Sequence, residues 1–538
     1  MNHLTGLDWL VIAIYFVLIY WIAIRVTRAS ATTTKTAAGY FLAGRNAGWF
    51  VIGASLFASN IGSEHLVGLA GTGAASGVAV GQFEILASII LLVLGWLFVP
   101  FYLRSGVSTM PEFLEKRYSP ATRWYLAIIS IVGYVLTKIS VTVVAGGIVF
   151  ESLMGLNFWT GALIVVVATG VYTVFGGLRA VLYTDVMQAV VLIIGATVVT
   201  VLGLNELGGW GRMTDLAGDG FMNMWLPSSH PDFPWTGILL GAPILGVWYW
   251  CTDQFIVQRV LAGRDLDQAR GGTIFAGFLK LLPLFIFVIP GVVAYGLAQT
   301  GRIDLAEPDQ ALPVLIGTLL PAGLRGLVVA GLLAALMSSL SSVFNSCSTL
   351  VTLDIYKKIR PESTERRLVV VGQISTLVLV GLALLWVPFM SRISGQLYQY
   401  MQSVQAYISP PIAAVFLVGL FWRRVNAQGA MLSLVGGFIL GAARLVAELN
   451  LDKIGDGPLF WYANINFLHF AALLFVVCVV LLVAGSFVAP GASLGKLEGL
   501  TFATLGTDRI KSSKTKVQAF LSCVLLACVG AVWWFFQG

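Results

Sequence analysis

Polar residues interrupt an apolar segment near the start of the chain. Residues 48–73 read GWFVIGASLFASNIGSEHLVGLAGTG, and Asn60, Ser63, Glu64 and His65 lie in the middle of this segment. A helix that faces lipid would not carry that cluster, because every unpaired polar group in hydrocarbon costs several kcal/mol. Amide, hydroxyl, carboxylate and imidazole groups could instead hold a polar solute beside an ion. The sequence therefore predicts that a helix opens at this point.

A second apolar segment is interrupted by glycine and proline further along the chain. Residues 241–254 read GAPILGVWYWCTDQ. Two broken apolar segments at corresponding places in two halves of a chain are typical of the binding site of a secondary transporter. We therefore expect the two segments to contribute to one solute site.

A serine-rich segment supplies oxygens that suit a small cation. The block MSSLSSVFNS includes Ser338, Ser341 and Ser342, whose spacing of i, i+3 and i+4 places them on one helix face. A single serine in an apolar helix indicates little, because its hydroxyl often bonds to a carbonyl of the preceding turn. Several neutral oxygens without surplus carboxylates favour a monovalent cation over Ca²⁺ or Zn²⁺.

Other polar residues inside apolar segments also have a purely structural interpretation. Glu84 could pair with a lysine for structure or line a polar cavity, and Lys138 could form a structural salt bridge. Asp185 could be a solvated helix end or an ion ligand, and Gln402 could tie two helices together or contact the solute.

The elements that must position these residues are membrane-spanning helices. Of 538 residues, 58% are hydrophobic and 11% are charged, and the mean hydropathy is +0.89. No soluble domain of this size has that composition. Because a span needs about 20 apolar residues, the sequence predicts an all-α polytopic membrane protein with about fourteen transmembrane helices. The predicted spans are 8–27, 48–73, 80–103, 121–150, 158–177, 184–206, 235–255, 271–298, 326–352, 368–389, 396–421, 429–447, 463–487 and 517–536.

The distribution of lysine and arginine predicts the orientation in the membrane. Alternate loops between the spans, among them 25–45, 104–123, 259–270 and 357–367, hold most of the basic residues. Cytoplasmic loops carry such an excess, so both termini are predicted to lie outside. The first span lacks a positive leader and a small-residue cleavage site, so it is predicted to be a retained helix. The absence of N-x-Ser/Thr sites and of a disulfide framework favours a bacterial inner membrane.

Several function classes find no support in the sequence. There is no G-x-x-x-x-G-K-[ST] loop and no H-E-x-x-H motif, and the five cysteines show no metal-ligand spacing. The basic residues lie in short separate loops, which does not suit nucleic-acid binding. We therefore predict that the chain is not an enzyme, binds no nucleic acid, resides in the lipid bilayer and shows no obligate protein partner.

Longer segments resemble the sodium/glucose cotransporters of the sodium:solute symporter family over nearly the whole chain. The segments that carry the resemblance are YFLAGR (40–45), ASNIGSEHLVGLAGTGAASG (58–77), LGWLFVPFYLRSGVSTMPEFLEKRY (94–118), FGGLRAVLYTDVMQ (175–188), WYWCTDQFIVQR (248–259), MSSLSSVFNSCSTLVTLDIYKK (337–358) and SGQLYQYMQSVQAYISPPIAAVFLVGLFWRRV (394–425).

The resemblance implies a LeuT-type fold built from two inverted repeats of five helices each. The repeats would cover 47–206 and 235–425, separated by an external loop at 207–234. An extra first helix and a cytoplasmic loop would occupy 1–46, and three further helices would occupy 426–538.

The resemblance also implies the residues of three sites. The solute contacts would be Asn60, His65, Glu84, Tyr249, Trp250, Lys280 and Gln402, and the gates would be Phe83, Tyr249 and Tyr398. The first Na⁺ would be held by Ala58, Ile61, Ala335, Ser338 and Ser339, and the second by Ser338, Ser341, Ser342 and Asp185. One departure is Gly246, which stands where relatives place a hydroxyl or amide that can reach the sugar, so the preferred hexose stays open.

Together these features predict Na⁺-coupled uptake of a glucose- or galactose-type monosaccharide by alternating access, with two Na⁺ per sugar. The alternatives are a Na⁺-coupled carrier of another polyol or sugar acid, such as inositol or sialic acid, and a membrane sensor that binds solute without transport. A sensor usually carries a soluble output domain, and the apolar spans leave no room for one.

Overall fold

The protein is all-helical over the residues that the computed structural model describes, which are 4–29, 35–390, 397–448, 450–493, 495–504 and 513–537. This confirms the all-α class. In these ranges the only extended pairings are two isolated bridges, Ala47 with Gly263 and Leu226 with Pro234.

The first half of the chain forms eleven α-helices. They are α1 (Gly6–Ala29), α2 (Ala37–Leu42), α3 (Trp49–Asn60), α4 (Ser63–Ser76), α5 (Gln82–Val93), α6 (Val99–Ser105), α7 (Met110–Arg117), α8 (Pro120–Tyr134), α9 (Ser140–Met154), α10 (Phe158–Leu207) and α11 (Trp210–Met222). A π-helical turn at Leu94–Phe98 joins α5 to α6, and another at Val135–Ile139 joins α8 to α9.

The second half continues in the same manner. Its helices are α12 (Trp235–Leu240), α13 (Ala242–Gly246), α14 (Gln254–Leu261), α15 (Leu266–Leu279), α16 (Ile289–Gln299), α17 (Ala311–Leu319), α18 (Leu324–Thr349), α19 (Lys357–Ile359), α20 (Glu365–Met390), α21 (Leu397–Phe421), α22 (Ala427–Glu448), α23 (Pro458–Asn464), α24 (Phe467–Val488) and α25 (Thr515–Phe535). Further π-helical turns lie at Val247–Thr252, Leu284–Val288 and Leu350–Tyr356.

Two helix breaks lie in the segments where the sequence predicts them. The helix α3 ends at Asn60, Ile61 and Gly62 are extended, and α4 begins at Ser63. In the second segment, the π-helical turn 247–252 ends at Asp253, which is extended and whose side chain accepts a hydrogen bond from Phe255 N at the start of α14. Helix ends leave backbone carbonyls and amides without intrahelical partners, so both breaks expose groups that can bind a ligand.

A glycine kink divides the 50-residue helix α10. Gly177 has φ 56° and ψ −160°, a conformation that L side chains rarely adopt. A Cβ at this position would also lie 2.5 Å from the carbonyl oxygen of Tyr40. The two predicted spans 158–177 and 184–206 therefore meet at this kink.

The protein is a multi-pass membrane protein. In the part of the chain that the structure describes, ten helical stretches are long and apolar enough to cross a bilayer. Some of these stretches cover more than one predicted span, such as His65–Ser105 and Phe158–Leu207, whereas Trp49–Asn60 is shorter than a full span. The count of fourteen spans stays a prediction.

The helix α18 lies at the centre of the molecule and is almost wholly buried. Its small residues allow close packing, which is typical of helix contacts in membranes. Asp8 of α1 fixes the start of α18, because its Oδ1 accepts hydrogen bonds from Gly323 N (2.7 Å) and Gly326 N (2.8 Å). The extra first helix thereby caps the helix that carries the serines.

Candidate solute and cation sites

A central cavity lies beside both helix breaks. Its walls come from α3, α4, α5, α13, α21, the π-helical turns 135–139 and 247–252, and the residue that follows α15. All seven predicted solute contacts line it, together with Phe83: Asn60, His65, Glu84, Tyr249, Trp250, Lys280 and Gln402. The cavity volume of about 60 Å³ holds only a few water molecules, so a ring-sized solute requires the lining side chains to move.

Lys280 connects the polar groups of this cavity. The side chain is fully buried, and its Nζ forms an ion pair with Glu84 and donates a hydrogen bond to Asn60 Oδ1 at 2.5 Å. His65 Nε2 lies 3.7 Å from the other carboxylate oxygen of Glu84. Buried charges require such partners, because desolvation of an unpaired ion is costly. Glu84 therefore pairs with a lysine and lines the cavity, so both interpretations of this residue hold.

An aromatic wall faces these polar groups. The hydroxyl of Tyr249 accepts hydrogen bonds from Asn60 Nδ2 (3.0 Å) and Lys138 Nζ (3.1 Å), and its ring packs edge-on against Trp250 with centroids 5.1 Å apart. Lys138 Nζ also lies 4.2 Å from the centroid of the Tyr249 ring. An apolar face beside dense hydrogen-bonding groups suits a sugar ring, whose C–H surface packs on aromatics.

Of the two predicted gate residues Phe83 and Tyr398, the structure describes the side chain of Phe83. Phe83 lines the cavity, and its ring is stacked on Phe467 at 6.5 Å and edge-on to Phe233 at 6.1 Å. Phe233 belongs to the predicted external loop, so Phe83 lies on that side of the cavity. The side chain of Tyr398 lies outside the described part of the chain, as does that of Glu64.

The first predicted cation site lies at the break after α3. Ser338 Oγ is 2.9 Å from the carbonyl oxygen of Ala58 and 3.0 Å from that of Ala335, and Ser339 Oγ is 3.3 Å from the carbonyl oxygen of Ser59. Ile61 follows in the extended turn. Carbonyl and hydroxyl oxygens therefore converge here, which is the donor set that unwound transporter helices offer to Na⁺.

The second predicted cation site lies one helix turn further along α18, at Ser342. Asp185 is fully buried, and its Oδ2 accepts hydrogen bonds from Ser55 Oγ (2.5 Å) and Ser59 Oγ (3.1 Å). The interpretation of Asp185 as a solvated helix end is therefore wrong. Ser342 Oγ lies 3.0 Å from Ser59 Oγ, whereas Ser341 Oγ bonds back to the carbonyl of Ser338 at 3.1 Å.

Comparison with known proteins decides the family. The model of the Sodium:solute symporter family matches residues 40–437. The chain belongs to this family. Over 521 residues the symporter is 41% identical to sodium/glucose cotransporter 1 of Oryctolagus cuniculus, covering 88% of this chain and 78% of the relative. It is 39% identical to the sodium/myo-inositol cotransporter of Mus musculus, covering 98% and 80% of the two chains.

A solved structure shows the same fold. The symporter superposes on the substrate-bound, outward-open state of a Na⁺-coupled sialic acid symporter with a TM-score of 0.79, at 20% identity, over 91% of this chain and 99% of that chain. Fold and family together show a Na⁺-coupled solute symporter, whose family members are transporters and not enzymes.

One residue of the second predicted cation site, Arg259, was not among the residues predicted for it. Arg259, which was counted with the cytoplasmic loop 259–270, is fully buried in α14. Its Nε donates hydrogen bonds to Ser59 Oγ (2.7 Å) and Ser55 Oγ (3.2 Å), and its Nη2 donates one to Ser342 Oγ. The assignment of Arg259 to a loop was wrong because α14 begins directly after the break at Asp253 and continues to Leu261. The signal was an arginine in an apolar stretch, FIVQRVL, directly after a break.

Two further lining residues of the solute cavity were left out of the predicted set. Lys138 and Gln405 both line this cavity of the symporter. Each had a signal, since Lys138 is a cation within a predicted span and Gln405 lies three residues after Gln402 on the same helix. Gly246 also lines the cavity.

Ion pairs join several helices at the side of the symporter that the basic loops predict to be cytoplasmic. Arg123 of α8 contacts Glu115 (2.5 Å) and Asp354 (2.7 Å), and Lys358 contacts Glu115 (2.6 Å). Burial raises the pKa of Glu115, but hydrogen bonds from Lys358 and Arg123 outweigh it and hold that pKa below its usual range. The network links α7 and α8 to the π-helical turn that follows α18 and to α19.

Proposed function

We propose that this symporter couples inward Na⁺ flow to the uptake of a glucose- or galactose-type monosaccharide by alternating access, with two Na⁺ per sugar. The observation that carries the proposal is the cavity at the two breaks. Hydrogen-bonding groups on one wall face the Tyr249–Trp250 pair on the other, and oxygens for a cation converge at Ala58, two residues before the cavity-lining Asn60.

The charges of the cavity favour a neutral solute. Lys280 is paired with Glu84, and Lys138 Nζ donates to the Tyr249 hydroxyl and lies over the rings of Tyr249 and Phe255. A sugar acid would require a cation to leave these partners and pair with its carboxylate, at the cost of a separated buried ion pair. This argues against sialic acid, whereas myo-inositol is neutral and stays the main competitor.

Transport assays separate these solutes. Purified symporter in proteoliposomes is given labelled glucose, galactose, myo-inositol or sialic acid, with an inward Na⁺ gradient or with K⁺ replacing Na⁺. We expect Na⁺-dependent accumulation of glucose or galactose. Accumulation of myo-inositol or sialic acid alone would overturn the choice of solute, and Na⁺-dependent binding without accumulation would indicate a sensor.

Gly246 offers a test of hexose selectivity. It lines the cavity, and a Cβ there would lie 3.0 Å from Ile90 Cγ1, so a larger residue requires Ile90 to shift by a few tenths of an ångström. Gly246→Ser adds a hydroxyl that can reach the sugar. We expect it to change the ratio of glucose to galactose uptake and to leave the Na⁺ dependence intact. An unchanged ratio would remove Gly246 from the selectivity of the site.

The distribution of basic residues supports a cell membrane location with both termini outside. In a variant whose native cysteines are serine, Ser228→Cys in the predicted external loop and Glu362→Cys in the predicted cytoplasmic loop are exposed to a membrane-impermeant maleimide. We expect intact cells to be labelled at position 228 alone, with position 362 labelled after permeabilisation. The reverse pattern would contradict the orientation.

A further inference from the structure

A permanent cation of the protein lies among the predicted ligands of the second sodium ion. The guanidinium of Arg259 donates to Ser55, Ser59 and Ser342, and its Nη1 donates to the carbonyl of Phe255. Arginine does not lose its proton in proteins. One positive charge is therefore already attached to the oxygens that a second Na⁺ would use.

The acidic partner of this cluster is incompletely satisfied. Asp185 Oδ2 accepts from two serines and lies 3.9 Å from Arg259 Nη2, which is beyond hydrogen-bond distance. Asp185 Oδ1 is buried and has no hydrogen-bond partner among the described residues. Buried carboxylate oxygens are almost always paired. Neither the serines nor Arg259 bind this oxygen, so it indicates a place for a further ligand such as a cation.

We propose that the Arg259 guanidinium and the second Na⁺ are alternative occupants of the site formed by Asp185, Ser59 and Ser342. Both are monovalent cations, both are drawn to one carboxylate, and like charges at such close range repel each other. Binding of the ion to Asp185 and the Ser342 hydroxyl therefore requires Arg259 to leave Ser342. This inference rests on the proposed two-sodium function.

The position of Arg259 in the chain connects this exchange to the solute. Arg259 lies on α14, which begins directly after the break at Asp253, and the π-helical turn before that break carries Tyr249 and Trp250. Movement of Arg259 can therefore shift α14 and the adjoining turn, which forms the aromatic wall of the solute cavity. If Na⁺ binding changes the solute affinity through this segment by some factor, solute binding must change the Na⁺ affinity by the same factor. Arg259 is thus a positioning residue that couples the two.

Equilibrium sodium binding tests the exchange without transport. Binding of ²²Na⁺ to the purified full-length symporter is titrated for the parent, Arg259→Gln, Asp185→Asn and the double variant, with and without glucose. We expect Arg259→Gln to lower the half-saturating Na⁺ concentration of the second ion at least fivefold and to remove its dependence on glucose. Asp185→Asn should lose one of the two ions, and adding Arg259→Gln to it should change nothing further.

Two outcomes would overturn the exchange. One is an unchanged or weaker sodium affinity in Arg259→Gln, and the other is an equal effect of Arg259→Gln in the Asp185→Asn variant. If Arg259→Gln does not fold, Arg259→Lys replaces it, because lysine keeps the charge but cannot reach all four partners of the guanidinium. We then expect a smaller decrease in the half-saturating Na⁺ concentration of the second ion. No decrease would count against the proposal.

A matched control and the parent protein separate the exchange from the proposed function. Arg270 is a buried arginine on the next helix, where it contacts Gly95 and Trp96 away from the cluster, so Arg270→Gln should leave sodium affinity unchanged. Sodium-driven glucose uptake by the parent, combined with no effect of Arg259→Gln on binding, would overturn the exchange alone. Sodium binding by the parent without uptake of glucose or galactose would overturn the proposed function.

Discussion

Replacing Glu84 by glutamine tests the ion pair at the centre of the solute cavity. Lys280 is fully buried and pairs with Glu84, with Asn60 as its second partner. Removal of one member of a buried ion pair costs about 3–5 kcal/mol, because the remaining charge is left uncompensated. We therefore expect Glu84→Gln to lower the thermal midpoint of the purified symporter by several degrees.

The double variant Glu84→Gln with Lys280→Met separates folding from solute binding. It removes both charges, and replacement of a whole buried pair by uncharged residues is often neutral for stability. The thermal midpoint should therefore recover toward the parent. Glucose affinity should stay low, since unpaired polar groups on the solute cost about 1–3 kcal/mol, a loss of roughly 5- to 150-fold.

The assay combines thermal unfolding in detergent, followed by tryptophan fluorescence, with glucose titration at saturating Na⁺. Ser88→Ala is the matched control, because Ser88 is buried on the same helix α5 and donates to the carbonyl of Gly277 at 2.8 Å. It should leave glucose affinity unchanged. A Glu84→Gln variant as stable as the parent, or a double variant that binds glucose with parental affinity, would refute this role of the ion pair.

Two further predictions address the aromatic wall and the ion pairs of Glu115. Tyr249→Ala should abolish coupled sugar accumulation while ²²Na⁺ binding persists, because Tyr249 lines the proposed solute cavity whereas the predicted ion ligands are carbonyls and serines elsewhere; retained accumulation would exclude this role. Glu115 has a depressed pKa, so its ion pairs add stability above the unfolded value of about 4.3 and lose it as pH falls through the lower folded value. The difference in thermal midpoint between parent and Glu115→Gln should therefore be largest near neutral pH and shrink as the pH falls below about 4.3; a pH-independent difference would contradict this.

The sequence predicts where the two helix breaks lie, whereas the binding of a solute by the cavity residues stays a prediction. The break after Asn60 and the break near Asp253 each follow from glycine or from polar residues in apolar segments. All seven predicted solute contacts line one cavity. Such features are visible because they depend on neighbouring residues, or on motifs that the chain shares with its family.

The contacts of the second cation site could not be predicted in the same way. Asp185 is held by Ser55 and Ser59, and Arg259 reaches the same serines from a helix that the hydropathy pattern assigns to a loop. These residues are far apart in sequence, and only the packing of α3, α10, α14 and α18 brings them together. Periodicity identifies which residues are polar within a helix, but it does not identify the partner that compensates each charge.

The reversal potential of sugar flux in proteoliposomes tests the central claim most directly. Each charge that enters is worth about 2.3 kcal/mol per 100 mV, so two ions supply about 4.6 kcal/mol, roughly three decades of sugar accumulation at about 1.4 kcal/mol per decade. At fixed Na⁺ and glucose gradients we predict a ratio of two charges per sugar in the parent, falling to one in Asp185→Asn. A ratio of one in the parent would contradict the second site, and a reversal potential independent of the Na⁺ gradient would contradict Na⁺-coupled sugar transport itself.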